Sequence, residues 1–571
     1  MDTVMHLLDQ INSILWHDSV LFILIGVGVL FTAWTALGQY RAVTHGVQVI
    51  RGVYDKKDDP GAINHFQALS AALSATVGLG NIGGVAIAIA LGGPGAVFWM
   101  WVVGLLGMAI KMTEVTQSML WRNTDDPDNP HGGPMWVVSR GLAKFHPALK
   151  PLGIFIGGIF CLTLLVSTVT GGNMFQSWNV GELTELYFGV PPLVTGIVLA
   201  AVVGMVIVGG IKRIGAVAGR LVPFMCALYL IMGIIVILMQ VDRVPEAFGM
   251  IFHGAFNPFE AQNAFIGGTA GYAFLFGMKR ALFSNEAGQG SAPIAHSAAK
   301  TGEPVREGVV AGLGPLIDTL IVCTITAMVI ITSGAWSRGP DTTFQQTSIE
   351  ITRGAEGWTV TTPDLPKEGG WREGDKKVFC VLGQQDALGK RVRLTGNVTL
   401  EDGNWAVDWN EAGGDMFSGP PMVIDGGVYA DLPGASLTSH AFDRIIPSSG
   451  RWMVTLAAWL FAISTMISWS YYGEQGVVFL FGNRAVLPYK VLYCLLAVVA
   501  TMGFISTDAA LDALTSFGTG VMLFANIPIM LIFGYAAMKA YHAYMGRLRR
   551  GEFHPHKAPS VEDVVSGRDV E

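Results

Sequence analysis

Eleven apolar stretches, each long enough to cross a bilayer as a helix, recur along this chain. They lie near residues 19–38, 64–91, 94–120, 151–173, 192–211, 217–240, 262–284, 306–334, 450–473, 487–506 and 511–538. A hydrocarbon core about 30 Å thick takes about 20 helical residues to span. Lipid offers backbone polar groups no partner, so a spanning segment must satisfy its own. The pattern predicts an all-α polytopic membrane protein seated in a lipid bilayer. Composition agrees: 14% of the 571 residues are charged, against roughly a quarter in a soluble domain. A net charge of −7 leaves no basic footprint, so no nucleic-acid partner is expected. Five scattered cysteines form neither a disulfide framework nor a metal cluster. The start, MDTVMHLLDQINSILWHD, lacks the basic region and cleavage site of a removable signal peptide.

Alternate connections sort by charge. One set holds Arg41, Arg51, Lys56 and Lys57, then Arg122, Arg140, Lys144 and Lys150, then Lys212 and Arg213. It continues with Lys279, Arg280, Lys300 and Arg306, with Arg484 and Lys490, and with the tail from Arg547. The other set holds Asp2, Asp9, Asp18, Glu182, Glu185, Asp242, Glu246 and Asp508. Basic loops stay on the cytoplasmic side, so the N-terminus is expected outside and the C-terminus inside. An odd number of spans gives the same parity.

One connection is not a short loop. Residues 335–448 are polar, acidic and rich in Gly, Asp and Trp. The alternating stretches RVRLTGNVTL (Arg391–Leu400) and NWAVDWN (Asn404–Asn410), separated by glycine-containing turns, predict strands and hairpins. A small, mostly β extracytoplasmic insertion is expected here, with a partner of its own as an open question. A partly disordered insertion is the alternative.

The stretch SATVGLGNIGGVAIAIALGGPG (Ser74–Gly95) contains G-x-G-x-x-G at Gly78, Gly80 and Gly83. A dinucleotide site needs this motif between a strand and a helix, with an acid about 20 residues on. Here it lies inside an apolar span, Val103 stands 20 residues past Gly83, and the next acid is Glu114. The nucleotide reading fails. Two readings stay open: close helix packing through small residues, or a helix deliberately opened at membrane depth. Gly78, Gly80, Gly83 and Gly84 disfavour continuous helix, and Thr76 and Asn81 flank them with oxygens. Counted from Asn64, the stretch Thr76–Asn81 lies about 18–26 Å along a helix, near mid-membrane. An opened helix there offers carbonyls to a cation and amides to an anion.

Setting the first span aside leaves ten, five and five, and an odd-numbered repeat enters inverted. The first helix of the second half is then expected to be broken too. Its sequence, FIGGTAGYAFLFGMKRALFSNEAGQGSAP, is interrupted at Gly267, Gly268, Gly271 and Gly277.

Other polar residues at depth carry paired readings. Ser464 and Thr465, adjacent at mid-span, suit a hard cation, while Ser468 is expected to bond back to its own helix. Trp469, on the same face as Thr465, either walls a pocket or packs. Gln176 and Asn173 approach the outer end of the fourth span, where Gln176 hydrogen-bonds a zwitterion or a neighbouring helix. Asp318 is the acid clearly inside a span, and such acids are functional candidates; it accepts a proton, balances a cation or caps a neighbour. Glu114 with Lys111, and Glu286 with Arg280, are expected as ion pairs near the cytoplasmic face. His45, His65 and His296 lie in or near loops, which argues against an intramembrane enzyme.

The segments VGLGNIGGVAIAIALGGPGAVFWMW (Val77–Trp101) and KRALFSNEAGQGSAPIAHSAA (Lys279–Ala299) closely resemble the alanine/glycine:cation symporters. GNMFQSWN, GPLIDTLIVCT and WLFAISTMISWSYYGEQ extend the resemblance over nearly all ten repeat helices. That family is similar to the leucine-transporter-type fold, a 5+5 inverted repeat with broken first helices. The resemblance implies a secondary transporter of a bacterial inner membrane, not an enzyme, importing a small neutral amino acid with sodium by alternating access. It implies sodium ligands at Thr76, Val77, Ser464 and Thr465, with Asn81 matching a second cation site of related transporters. It implies a substrate carboxylate at the backbone of Leu79 and Gly80, and a pocket shaped by Gln176, Phe175 and Trp469, with Phe276 and Gly277 from the second broken helix. Proton coupling, or a sensor built on the same scaffold, are the alternatives.

These readings divide the chain into an extra N-terminal helix with its loop (1–62), a core in two parts (63–334 and 449–545), the insertion between them (335–448) and a cytoplasmic tail (546–571). The long insertion is the departure from the family pattern.

Overall fold

The apolar stretches fold as helices because a helix closes its own hydrogen bonds and leaves only side chains to meet lipid. The computed structural model describes residues 2–56, 58–127, 130–257, 270–345, 348–354, 357–366, 377–383, 391–401, 403–413, 417, 419–432, 434–503 and 508–567. Among these, six helices are long and apolar enough to cross a membrane: Gly95–Trp121, Pro147–Phe188, Gly210–Met239, Pro304–Ser333, Gly450–Phe481 and Leu511–Arg549. The number rises to eight if two bent pairs each count as one span. These are Ser19–Trp34 with Gly38–Ile50, bent by 64°, and His65–Thr76 with Gly80–Gly92, bent by 51°. Shorter helices at Pro192–Ile207, Ala270–Asn285 and Val486–Val499 occupy the remaining apolar stretches.

Three expectations change. The fourth span does not end near residue 173: one continuous helical run covers Pro147–Phe188. A π turn at Thr170–Met174, with Gly171 and Gly172 in it, carries the helix onward, so Gln176 sits inside the run rather than at its outer end. The second interruption is also displaced. Gly271 and Gly277 lie within the helix Ala270–Asn285, while Gly267 and Gly268 fall outside the described residues. The chain instead unwinds at Glu286–Ser291, where Glu286 (φ 56°), Gly288 (φ 84°) and Gly290 (φ 79°) are left-handed, before a short helix Ala292–His296. Three left-handed residues in five cannot continue a right-handed helix.

Lys279 and Arg280 likewise belong to helix Ala270–Asn285 and not to a loop. Arg280 is buried and pairs with Asp512, not with Glu286. Glu114 takes its hydrogen bonds from the Gly290 amide (3.2 Å) and Asn526 Nδ2 (3.2 Å).

The insertion is β-rich. Lys377–Gly383, Arg391–Glu401 and Asn404–Trp409 form an antiparallel meander, with Phe379 opposite Thr395 and Leu400 opposite Trp405. Gly427–Ala430 flanks its other side, and Thr342–Thr343 pairs with that strand in turn. Three further strands, Glu350–Arg353, Gly357–Thr361 and Ala412–Gly413, form a second small sheet. Val378, Cys380, Leu382, Leu394, Val398 and Trp409 give the insertion its own apolar core, separate from that of the helices. The chain then returns through helix Ala435–Asp443, which packs back on the helical body.

Candidate functional site

The first broken helix builds the site. Its first arm, the inner one in the orientation expected from the loop charges, starts at Asn64, whose Oδ1 accepts from the Gln67 amide at 2.8 Å, and it ends at Thr76. Val77 leaves helical geometry (φ −79°, ψ 87°), and the outer arm resumes as a π turn at Gly80–Gly84 running into Val85–Gly92. Breaking the helix frees backbone groups that must find partners. The Gly78 amide donates to Asn81 Oδ1 at 2.8 Å, and the Leu79 amide donates to Gln176 Oε1 at 3.1 Å. Gln176 is itself fixed by donating Nε2 to the Gly171 carbonyl at 3.1 Å.

Helix Gly450–Phe481 lies against the break. Ser74 Oγ lies 2.7 Å from both the hydroxyl and the carbonyl oxygen of Ser464. Gly78 faces Thr465 so closely that a Cβ there would sit 2.4 Å from Thr465 Oγ1. Only glycine fits. Thr465 Oγ1 is buried and has no hydrogen-bond partner among the described residues. Ser468 Oγ is in the same condition, so the expected bond back to its own helix is not made. Thr76 Oγ1 bonds back to the Leu73 carbonyl at 3.3 Å.

Aromatic rings close the other side. Phe283 stands edge-on to Phe175, with ring centroids 5.0 Å apart, and also lies against Gly80 and Gly171. Trp469 packs on Gly172 and meets Tyr472 edge-on at 5.4 Å. Above the break, Thr438 Oγ1 of helix Ala435–Asp443 donates to the Ile82 carbonyl at 2.9 Å. On that same helix, burial together with Arg338 and Arg444 lowers His440 to about 4, so it is neutral near pH 7.

A polar network sits behind the break. Asp318 lies in a π segment, Leu316–Cys323, and is fully buried. Its carboxylate accepts from Asn81 Nδ2 (2.5 Å), Ser284 Oγ (2.9 Å) and Thr319 Oγ1 (2.7 Å). Asn285 Nδ2 donates to Thr319 Oγ1 at 3.1 Å, tying the last residue before the second unwound segment to the same acid. π segments are enriched at functional sites, and three of them, at Gly80, Thr170 and Leu316, converge here.

Of the residues expected at the site, Thr76, Val77, Leu79, Gly80, Asn81, Phe175, Gln176, Ser464, Thr465 and Trp469 gather around the break. Asn81 turns its oxygen to Gly78 and its nitrogen to Asp318. Gly277 does not join them: it packs on Ala96 and Trp99 of another helix, and Phe276 is half-buried beside it. Sequence reasoning missed Phe283, Ser284 and Thr319, whose residue types carry no signal until the second break is placed. Asn173 donates Nδ2 to the Tyr493 carbonyl at 2.7 Å.

Residues 1–362 and 421–558 match the sodium:alanine symporter family. The chain belongs to that family. It is 33% identical over 491 residues to the sodium/alanine symporter AgcS of Methanococcus maripaludis, covering 86% of this chain and 87% of that one. It is 34% identical over 379 residues to the probable sodium/glutamine symporter GlnT of Bacillus subtilis, covering 66% and 73% respectively. Among solved structures, MhsT in complex with L-phenylalanine matches with a TM-score of 0.47 and 12% identity, covering 85% of this chain and 96% of that chain. Membership makes this chain a cation-coupled amino-acid transporter set in a membrane, and not an enzyme. The stretch outside the match, 363–420, holds the three meander strands of the insertion.

Proposed function

We propose that this transporter imports a small neutral amino acid, alanine or glycine, together with sodium by alternating access. The observation that carries the reading is the open helix between Thr76 and Gly80, with an unpartnered buried hydroxyl, Thr465 Oγ1, beside it. The inner arm ends there with its carbonyls, the negative end of a helix dipole, and the outer arm begins there with its amides, the positive end. A sodium ion among neutral oxygens of Thr76, Val77, Ser464 and Thr465 fits the first. An amino-acid carboxylate at Leu79 and Gly80 fits the second, taking the place that Gln176 Oε1 holds on the Leu79 amide.

The rings of Phe175, Phe283 and Trp469 crowd the break, which supports alanine or glycine over the glutamine named for the Bacillus relative. Coupling follows if sodium and substrate both bind one access state more tightly than the other, since equal binding shifts nothing. The reading places eleven spans as one extra helix plus an inverted 5+5 repeat in a bacterial inner membrane. It also places the N-terminus and insertion outside, with the tail in the cytoplasm. Purified protein in proteoliposomes should accumulate radiolabelled alanine only under an inward sodium gradient. Saturable binding without uptake would favour a sensor instead.

A further inference from the structure

We propose that the C-terminal tail, residues 551–567, is a built-in brake on inner release, a proposal that rests on the alternating-access reading above. The tail straps the start of the broken helix's inner arm to helix Gly210–Met239.

After the last long helix ends at Arg549, the chain turns back across the face that carries Asn64. Phe553 stacks on Tyr544 at 4.7 Å, under the guanidinium groups of Arg306 (5.2 Å) and Arg547 (4.8 Å). The His556 amide donates to the Val53 carbonyl at 3.0 Å, and its Nε2 lies 2.9 Å from the Asp55 carbonyl oxygen. Pro559 rests on Gly52. A short helix follows, Val561–Ser566, started by Ser560, whose Oγ accepts from the Asp563 amide at 3.1 Å.

The short helix closes with the Gly567 amide donating to the Val564 carbonyl at 3.4 Å, and the inner arm adds further donors at that end. Asn64 Nδ2 donates to the Val564 carbonyl at 2.7 Å, and Gln67 Nε2 to the Val565 carbonyl at 3.4 Å. The Val565 carbonyl also lies against Gly219 of helix Gly210–Met239, and Gly567 packs on the Gln67 amide. Asn64 thus works twice: its oxygen starts the inner arm while its nitrogen holds the tail.

On the alternating-access reading, opening to the inside means parting the two elements that the tail joins, the inner arm and helix Gly210–Met239. With the tail docked, that parting breaks the bonds from Asn64 and Gln67 to the Val564 and Val565 carbonyls. A second hold lies within the core, where His65 Nδ1 pairs with Glu307 and Glu307 bridges to His296 Nδ1 at 2.5 Å. The tail is the part of this fastening that follows the last long helix. Its last part, from Pro559 on, lies beyond the family match, which ends at residue 558.

The test compares three proteins in proteoliposomes: the full chain, the chain ended after Arg550, and Asn64→Asp. Aspartate keeps the oxygen that starts the arm and loses the N–H groups that hold Val564. Sodium-driven alanine uptake should rise about threefold to tenfold in both variants, as loss of one or a few net hydrogen bonds allows. Hydrogen–deuterium exchange over residues 64–76 should quicken in both. A peptide of residues 551–571 sealed inside the vesicles should return the shortened protein to the full-chain rate. An uptake rate within about twofold of the full chain, or below it, in monodisperse variants overturns the brake. If none of the three transports, the transport reading fails by itself. Exchange then decides: quicker exchange in the variants keeps the strap, and unchanged exchange removes it.

Discussion

The helical body and the β insertion satisfy their polar groups in opposite ways. In the insertion, the meander's bonds run between strands adjacent in sequence, as in the hairpin Arg391–Glu401 with Asn404–Trp409, and only its flanking strands pair across longer stretches. In the body, the decisive bonds join residues 97 to 390 positions apart: Ser74 to Ser464, Asn81 to Asp318 and Leu79 to Gln176. A local ladder folds with few demands on the rest of the chain. A buried long-range network ties every member to the others, because an unpaired polar group at depth is costly. The body is therefore expected to be intolerant of small changes, and the insertion tolerant of large ones.

The sharpest way to break this contrast is Gly78→Ala. Its methyl group would fall 2.4 Å from Thr465 Oγ1, and overpacking of this kind costs about 1–3 kcal/mol. Sodium-driven uptake should drop about 100-fold, the upper end of that range, with the protein still monodisperse; near-normal uptake would mean the break is not the site. Thr465→Ala removes one candidate oxygen without crowding. It should raise the sodium concentration for half-maximal uptake about tenfold while leaving thermal stability almost unchanged. An unaltered sodium curve would exclude Thr465 from the cation site.

The insertion should respond far less. Thr343 pairs with Gly427, and the Phe344 amide reaches the Gly426 carbonyl at 2.9 Å. Residues 344–426 are therefore replaceable by an Asn-Gly turn that keeps helix Ala435–Asp443 in place. Uptake should stay within about twofold of the full chain, since the bonds of the break are untouched. Loss of uptake by a well-folded deletion would make the insertion part of the mechanism. The smallest effect on uptake is expected from Leu394→Ala, at a fully buried position of the insertion core. It should destabilise the insertion by about 2–5 kcal/mol, seen as faster exchange over residues 377–409, with transport unchanged.

Much of the first break was legible because several signals coincided. Four glycines within seven residues, flanked by Thr76 and Asn81, stand at mid-span. The second break shows where such reading stops. The glycines at 267–277 drew attention, yet Gly271 and Gly277 are helical, and unwinding occurs at Glu286–Ser291. A glycine in an apolar helix either opens the backbone or lets a neighbour approach, and Gly277 does the latter, against Ala96 and Trp99. Which of the two applies depends on what lies opposite.

By itself the sequence determined the membrane class, the apolar helices, the β character of the insertion and the family, since each follows from local periodicity or an ordered run of motifs. The partners were decided only in the tertiary structure. Arg280 faces Asp512 rather than Glu286, Asn81 holds Asp318, Phe283 lies on Gly80, and the tail returns to Asn64. Spacing along one helix fixes which residues share a face, but the neighbour they meet is set by how separate helices pack.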